Sequence, residues 1–281
     1  MTTAGEQRVP ILNKDMTLCI SLSGRPSNIG TRFHNYLYEE LGLNFIYKAF
    51  STDDLAGAIA GVRALGIRGC SVSMPFKEDV MAMVDEIEAS AKAIESVNTI
   101  VNTNGRLVAS NTDFEAIARL IERHQLDPAS TVLVRGSGGM AKAVVAAFRE
   151  AGFNDLTVLA RNEVSGQSLA DKYGYRFTGA DPAPGHEILV NVTPLGMDGA
   201  QSEELAFSTQ QIDAARTVFD VVAFPSETPL ICKARSAGKQ IITGAEVIAL
   251  QAAAQFQKYT GHSLSEEQVL RASEFSRQLE S

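Results

Sequence analysis

Thr131 to Val144 reads TVLVRGSGGMAKAV. Thr131 to Val134 is a short apolar run that fits a buried strand. It passes directly into Gly136-Ser137-Gly138-Gly139-Met140-Ala141, and a helical pattern follows until Gly152. A strand, a glycine-rich turn and a helix start in immediate succession are what a bound pyrophosphate requires. Glycines let the backbone approach the phosphates, and the first turn of the helix presents free N–H groups to their charge. The same string also serves as a tight turn with no ligand, so the surrounding chain has to decide.

Downstream, Leu156 to Ala160, Glu187 to Val192, Thr217 to Val222 and Gln240 to Thr243 are further apolar runs. Runs without polar alternation, separated by helices, predict a parallel sheet covered on both faces. The second strand ends at Ala160 and is followed by Arg161-Asn162, where NAD-specific sites usually carry an acidic residue for the ribose hydroxyls. Arg161 can stack on adenine and pair with a 2′-phosphate, which favours NADP over NAD. It also reads as an ordinary solvated charge, and Glu163 opposes a phosphate unless it points away. Gly244 starts a long helix through Lys258. A last helix begins near Ser265, where Leu264 and Val269 have hydrophobic-staple spacing.

Upstream, the chain also alternates. Strands are expected at Thr17 to Ser23, Asn44 to Phe50 and Ile67 to Met74. Phe33, Leu37 and Leu41 fall at helical spacing and Gly42 stops that helix; Leu55, Ile59 and Val62 mark a second, stopped at Gly66. Ser51 and Thr52 are the expected caps of the second helix, with Asp53 and Asp54 favoured by its dipole. Asn104-Gly105 between two apolar runs predicts a hairpin. A helix is expected from Thr112, with Thr112 and Glu115 at capping-box spacing and Phe114, Ile117, Ala118 and Ile121 as its buried stripe. His124 to Ser130, which contains Pro128, reads as the link into the second domain.

The bulk properties narrow the function. Two domains suit 281 residues. Hydrophobic residues make up 45% and charged residues 21%, an ordinary soluble balance. The net charge of −8 is spread along the chain, and no basic stripe exists for a phosphate backbone or an anionic membrane. Cys19, Cys70 and Cys232 form no metal-spaced pair, and a sparse, odd set suits a reducing cytosol. Met1 to Pro10 lacks an apolar signal core and no apolar run reaches membrane-spanning length. A cytoplasmic protein acting on a small molecule, as a monomer or homodimer and with no metal, is the expectation.

Several motifs remain. SVSMPFK ends at Lys77, SVNT contains Asn98, NTD ends at Asp113, NVTPLGM spans Asn191 to Met197, and Gly244-Ala245-Glu246 leads to Gln251. With the glycine loop, this order resembles the shikimate dehydrogenase superfamily along nearly the whole chain. SLSGRPSN and VRGSGGMAKAV resemble its divergent shikimate dehydrogenase-like branch. The resemblance implies an α/β fold with an N-terminal α/β substrate domain (residues 1–112 and 245–281), a Rossmann-type dinucleotide-binding domain (113–244) and a cleft between them. It implies NADP-linked oxidation of a secondary alcohol on a shikimate-like or quinate-like cyclic polyol acid, with Lys77 and Asp113 catalytic. Asn98 and Gln251 would bind ring hydroxyls. Ser73, Thr31, Ser21 and Ser23 are further candidates toward the substrate. Gly136, Ser137, Gly138, Gly139, Met140, Ala141, Arg161, Asn162, Thr193, Met197, Val221 and Gly244 would hold the cofactor.

Elementary chemistry agrees with that pair. A hydride leaves a carbinol carbon only as its hydroxyl proton is lost; a lysine can hold the developing alkoxide and a carboxylate can orient the lysine. Each residue also has a plainer reading. Lys77 is an ordinary surface lysine, Asp113 a carboxylate favoured by a helix start, Asn98 a turn residue bonding its own backbone, and Gln251 a glutamine satisfying a core carbonyl. Met74, Met81 and Met83 read as packing, and the four histidines form no triad.

The chain also departs from the family pattern. The serine pair of S-x-S-P, which binds the substrate carboxylate, is replaced around Ile29-Gly30-Thr31-Arg32, where Thr31 can stand for one hydroxyl and Ser27, Ser21, Ser23 or Arg32 can compensate. N-V-T-x-P-F-K begins with Ser71, the tyrosine of D-x-x-Y-x-P is Ala223, the usual Gly-x-Gly is Gly244-Ala245-Glu246, and the second arginine of N-R-T-x-x-R is Ser165. Retained chemistry on an altered substrate, with weak shikimate activity, follows. A nonenzymatic dinucleotide-binding sensor is the alternative, and folate-linked dehydrogenase chemistry on a similar two-domain plan is a third reading.

Overall fold

The structure is a computed structural model that describes residues 12–278. The chain opens with β1 (Thr17–Leu22), α1 (Asn28–Glu40), β2 (Phe45–Phe50), α2 (Leu55–Ala64) and β3 (Gly69–Val72). A 3-10 turn (Asp79–Met83) leads to β4 (Glu86–Ile87), α3 (Ala89–Ile94), β5 (Thr99–Thr103), β6 (Arg106–Ser110) and α4 (Thr112–Arg123). Then come β7 (Val132–Arg135), α5 (Gly139–Glu150), β8 (Leu156–Leu159), α6 (Glu163–Tyr173), β9 (Arg176–Thr178), β10 (Ile188–Asn191), α7 (Thr209–Ala214) and β11 (Thr217–Asp220). The chain continues through α8 (Pro229–Ser236), β12 (Gln240–Ile242), α9 (Gly244–Thr260) and α10 (Glu266–Arg277).

Two six-stranded sheets result. The first has the order β2-β1-β3-β5-β6-β4 and is mixed, because β5 runs antiparallel to both β3 and β6. Its β5–β6 hairpin turns at Asn104 and Gly105, both at positive φ (53° and 87°), as a two-residue turn of matching twist needs. The second sheet, β12-β11-β10-β7-β8-β9, is parallel throughout. Its four inner strands, β11, β10, β7 and β8, are buried on both faces. Val132 and Val134 join α4, α5 and α6 in one core, while Leu133 faces a second core closed by Phe207, Ile212 and Leu230.

Two helices connect the sheets. α4 buries Phe114, Ile117, Leu120 and Ile121 in the core of the second sheet and leaves Arg119 outside. α9 spans both cores: Val247 packs with the second sheet, and Ala252, Phe256 and Tyr259 pack with α1 and the first. One helix therefore reaches from the glycine-loop side to the β3–β5 side, and α4 begins where the two meet.

Two helix caps differ from the sequence reading, although α4 does start at Thr112. Asp54, not Ser51 or Thr52, caps α2: its side chain accepts from Gly57 N at 2.8 Å, while Thr52 Oγ1 turns back to accept from Asp54 N. At α4 the cap is Asn111, which accepts from Phe114 N, and Thr112 lies inside the helix rather than forming a box with Glu115. The reason is tertiary, because the N–H and hydroxyl of Thr112 are both engaged by Asn98. Ser265 does cap α10, in a box with Gln268.

Candidate active site

The SVSMPFK segment leaves the C-terminal end of β3 and is tied to the strand leading into Asn98. Val72 N donates to the Asn98 carbonyl and Val97 N donates to the Lys77 carbonyl, each at 2.8 Å. Thr112, the first residue of α4, donates its N–H to Asn98 Oδ1 at 2.8 Å. These backbone bonds bring Lys77, Asn98 and Asp113 together from three separate motifs.

Lys77 Nζ donates to Asp113 Oδ2 at 2.6 Å; the side chains are 24% and 8% exposed. Two charges this little hydrated attract far more strongly than on an open surface. Asp113 also lies in the first turn of α4, where the helix dipole favours a carboxylate.

Asn98 is 1% exposed. Its Oδ1 accepts from Thr99 Oγ1 at 2.8 Å, Thr112 N at 2.8 Å and Thr112 Oγ1 at 3.1 Å, while its Nδ2 is buried without a hydrogen-bond partner. A buried unmade hydrogen bond costs about 1–3 kcal/mol, so such a donor is an address for a ligand acceptor. Thr31 Oγ1 is buried and unpartnered in the same way.

Gln255 was not among the expected site residues. It is buried, and its Nε2 lies 3.0 Å from Thr99 Oγ1, 3.3 Å from Ser71 Oγ and 3.4 Å from the Asn98 carbonyl. The task of satisfying core acceptors, foreseen as a plain reading of Gln251, is done one turn later on the same helix face. The Gln251 side chain is half-buried and makes no hydrogen bond among the described residues. The usable signal was the spacing of two glutamines four apart on one stripe.

The other candidates on the substrate side are scattered more loosely. Ser21 pairs in register with Ser71, and the Tyr47 hydroxyl reaches both serines. Ser23 Oγ accepts from Arg25 N at 3.1 Å, a local turn bond. Ser73 donates its backbone N–H to the Leu22 carbonyl. Arg32 stacks on Phe275 and donates to its carbonyl, which ties α1 to α10. Behind β1 and β2, His34 is fully buried and stacked on Tyr47 at 4.4 Å, and burial lowers its pKa to about 3, so the ring is neutral.

On the nucleotide side, Gly136 ends β7 at φ +125°, and a Cβ there would lie 2.8 Å from Val192 Cγ2. Gly138 precedes α5 with no side-chain cap, and no acidic residue occupies the first turn. Both features suit a pyrophosphate. Ser137 Oγ shares a 2.7 Å hydrogen bond with Ser165 Oγ, the residue standing where the family's second arginine does. Asn162 caps α6 by accepting from Ser165 N, and Arg161 is exposed beside it. The Glu163 carboxylate lies against Gly179, 3.5 Å from where a Cβ would stand.

Met140 is half-buried against the core and Ala141 is fully buried, so the loop's last two residues anchor α5. Thr193 donates to Asn191 Oδ1 at 2.6 Å, Val221 packs on the same core and Met197 is 45% exposed. A Cβ on Gly244 would stand 2.0 Å from the Val222 carbonyl oxygen, so this glycine serves a close backbone approach.

Asp220 closes the floor between β10 and β11. It accepts from Asn191 Nδ2, Val222 N and Thr228 Oγ1, and burial raises its pKa to about 6. Between the two halves, Lys142 of α5 pairs with Glu78 at 2.6 Å, directly after Lys77, and Lys172 of α6 pairs with Glu95 at 2.7 Å. Among the described residues no group of three or more metal-binding side chains occurs, and no helix is long and apolar enough to cross a membrane.

A parallel sheet with a glycine turn at its first helix, joined through α4 and α9 to a mixed sheet beside a lysine–aspartate pair, defines the two-domain α/β class that combines a substrate half with a Rossmann-like half. Residues 28–100 match the family model described as the shikimate dehydrogenase substrate binding domain. A shikimate dehydrogenase-like protein of Haemophilus influenzae is 58% identical over 95% of this chain and 99% of its own. A solved shikimate 5-dehydrogenase-like protein superposes with a TM-score of 0.93 at 58% identity, over 95% of this chain and all of that one. The shikimate 5-dehydrogenase of Thermus thermophilus, solved with NADP(H) and shikimate, gives 0.84 at 27% identity, over 93% of this chain and all of that one. The chain belongs to the shikimate dehydrogenase family and stands with its divergent shikimate dehydrogenase-like branch.

Proposed function

We propose that this protein is an NADP-dependent dehydrogenase that acts on a secondary alcohol of a shikimate-like or quinate-like cyclic polyol acid, and that shikimate itself is a poor substrate. The observation that carries the reading is the Lys77–Asp113 pair beside the orphaned donor of Asn98: a proton-handling unit and an unfilled ligand contact side by side.

Gly136, Gly138 and the uncapped start of α5 suit the pyrophosphate, and the exposed Arg161 suits a 2′-phosphate. A bound nicotinamide supplies the hydride acceptor. Lys77 holds the substrate oxygen as its negative charge grows, Asp113 keeps the ammonium aimed at that oxygen, and the two share the departing proton as a unit. Asn98 Nδ2 fixes a neighbouring ring oxygen, and Gln251, one turn from Gln255 on the same helix face, is placed for another. The shift away from shikimate rests on Ala223 and Ile29, which lack the hydroxyls that family members use for the carboxylate. Each lost hydrogen bond costs about 0.5–1.5 kcal/mol, so two lower the specificity constant by roughly five- to 160-fold.

The test is reduction of NADP and of NAD by the purified protein with shikimate, quinate and aminoshikimate, with Lys77→Ala as control. Lys77-dependent reduction of NADP, weaker with shikimate than with another acid, is expected. Efficient shikimate turnover would remove the altered-substrate reading. Tight NADP binding with no turnover of any acid would replace the enzyme by a sensor.

A further inference from the structure

The Asn98 carboxamide can be oriented atom by atom. A backbone N–H only donates, so the atom 2.8 Å from Thr112 N is the amide oxygen. Thr99 Oγ1 donates to that same oxygen because its own lone pair receives Gln255 Nε2. A directional chain of donors thus runs from α9 through β5 to Asn98 Oδ1, and the start of α4 adds a second. Nδ2 is left as the free end of the amide, buried and without a partner. Lys77 beside it is also a donor, and the acceptor next to it, Asp113, has its Oδ2 already taken by that lysine.

We infer that Thr112 and Gln255 are positioning residues that lock Asn98 with its nitrogen toward the substrate, so that the site accepts an oxygen at the ring position facing Asn98 and rejects a protonated amine. The inference rests on the proposed function in taking Asn98 to face substrate. A hydroxyl or carbonyl oxygen accepts from Nδ2. An ammonium group at the same carbon would meet two donors and leave both unsatisfied. If the amide were free to turn over, Oδ1 would receive the amine and the preference would vanish.

Thr112 allows the lock to be opened cleanly. It is the first residue of α4, a position where proline is well tolerated, and Asn111 before it is already extended (φ −126°, ψ 105°). Thr112→Pro removes the N–H and the hydroxyl together, whereas Thr112→Val removes the hydroxyl alone. Gln255→Leu cuts the donor chain from the other side. The probes are shikimate and its amino analogue, each measured by equilibrium binding to the NADP complex and by turnover.

The wild type is expected to favour the hydroxyl compound by about a hundredfold, the upper end of the cost of leaving one buried polar group unpaired. Thr112→Val keeps most of that ratio. Thr112→Pro and Gln255→Leu each reduce it tenfold or more, mainly through KM, in proteins whose circular dichroism and melting show them folded. An unchanged ratio in both folded variants, or a wild type that takes the amine equally well, overturns the inference. A binding preference abolished by Thr112→Pro in a protein that turns over neither compound keeps the lock and removes the dehydrogenase reading. Turnover without discrimination does the reverse, and failure of both compounds to bind removes both.

Discussion

Lys77→Met, Asp113→Asn and the double variant form a cycle whose outcome follows from one contact. Lys77 Nζ lies 2.6 Å from Asp113 Oδ2, with the lysine a quarter exposed and the aspartate nearly buried. At an effective dielectric of about 20, opposite charges about 4 Å apart attract by about 4 kcal/mol before desolvation is subtracted. Removing one partner of a fully buried pair costs about 3–5 kcal/mol. Lys77 is partly hydrated, so Lys77→Met should cost about 2–3 kcal/mol in chemical denaturation, because it strands the Asp113 charge. Asp113→Asn should cost less, since the freed ammonium can reach water. The double variant should be more stable than Lys77→Met alone. In turnover, each single change should lower kcat/KM by roughly 10²–10⁴, and the double variant should match the worse single within a few-fold, because groups that act as a unit are not additive. Initial rates of NADP reduction measure this. Losses that multiply would mean two independent roles, and a Lys77→Met protein as stable as wild type would mean that the pair does not hold Asp113 in solution.

Other substitutions test the frame around that pair. Gly244→Ala sets a Cβ 2.0 Å from the Val222 carbonyl oxygen; displacing α9 from the loop after β11 should lower stability by about 1–3 kcal/mol and weaken NADP affinity, read by thermal melting and cofactor titration. The Asp220 pKa of about 6 stands above its unfolded value of 3.8, so the native state holds the extra proton and this group's stability contribution is lost as pH rises from about 4 through about 6. Asp220→Asn should remove that dependence, so the wild-type minus variant stability difference should fall by up to about 3 kcal/mol across that window; denaturation midpoints that keep a constant offset over the window would contradict it. Lys142→Glu should raise the KM for NADP several-fold by breaking the pair with Glu78 beside Lys77, and pairing it with Glu78→Lys should recover part of the loss in steady-state assays.

How far the site was legible depended on what kind of bond placed each residue. The parallel sheet could be read because both faces of its strands are apolar, as Leu133 and Val134 show by serving opposite cores. The glycine turn could be read because its positive φ is a local demand, although the contact with Val192 that also excludes a Cβ at Gly136 arises only on folding. Short elements fixed only by neighbours could not. β9 is three residues, Arg176-Phe177-Thr178, and is a strand because β8 pairs with it. α4 begins at Thr112 as its pattern indicates, but its cap differs for a related reason. Asn111 and Thr112 are both competent caps in sequence, and the choice falls to Asn111 because Asn98, fourteen residues earlier, takes the Thr112 N–H. Gln251 and Gln255 share one helix face, and only the path of α9 across β3 and β5 sends Gln255 into the Thr99 hydroxyl. Asn98, Thr99, Thr112 and Gln255 each look like a neutral polar residue in a plausible place. Their value to the site lies in the direction of the donors that join them, and that direction exists only once β5, α4 and α9 have met.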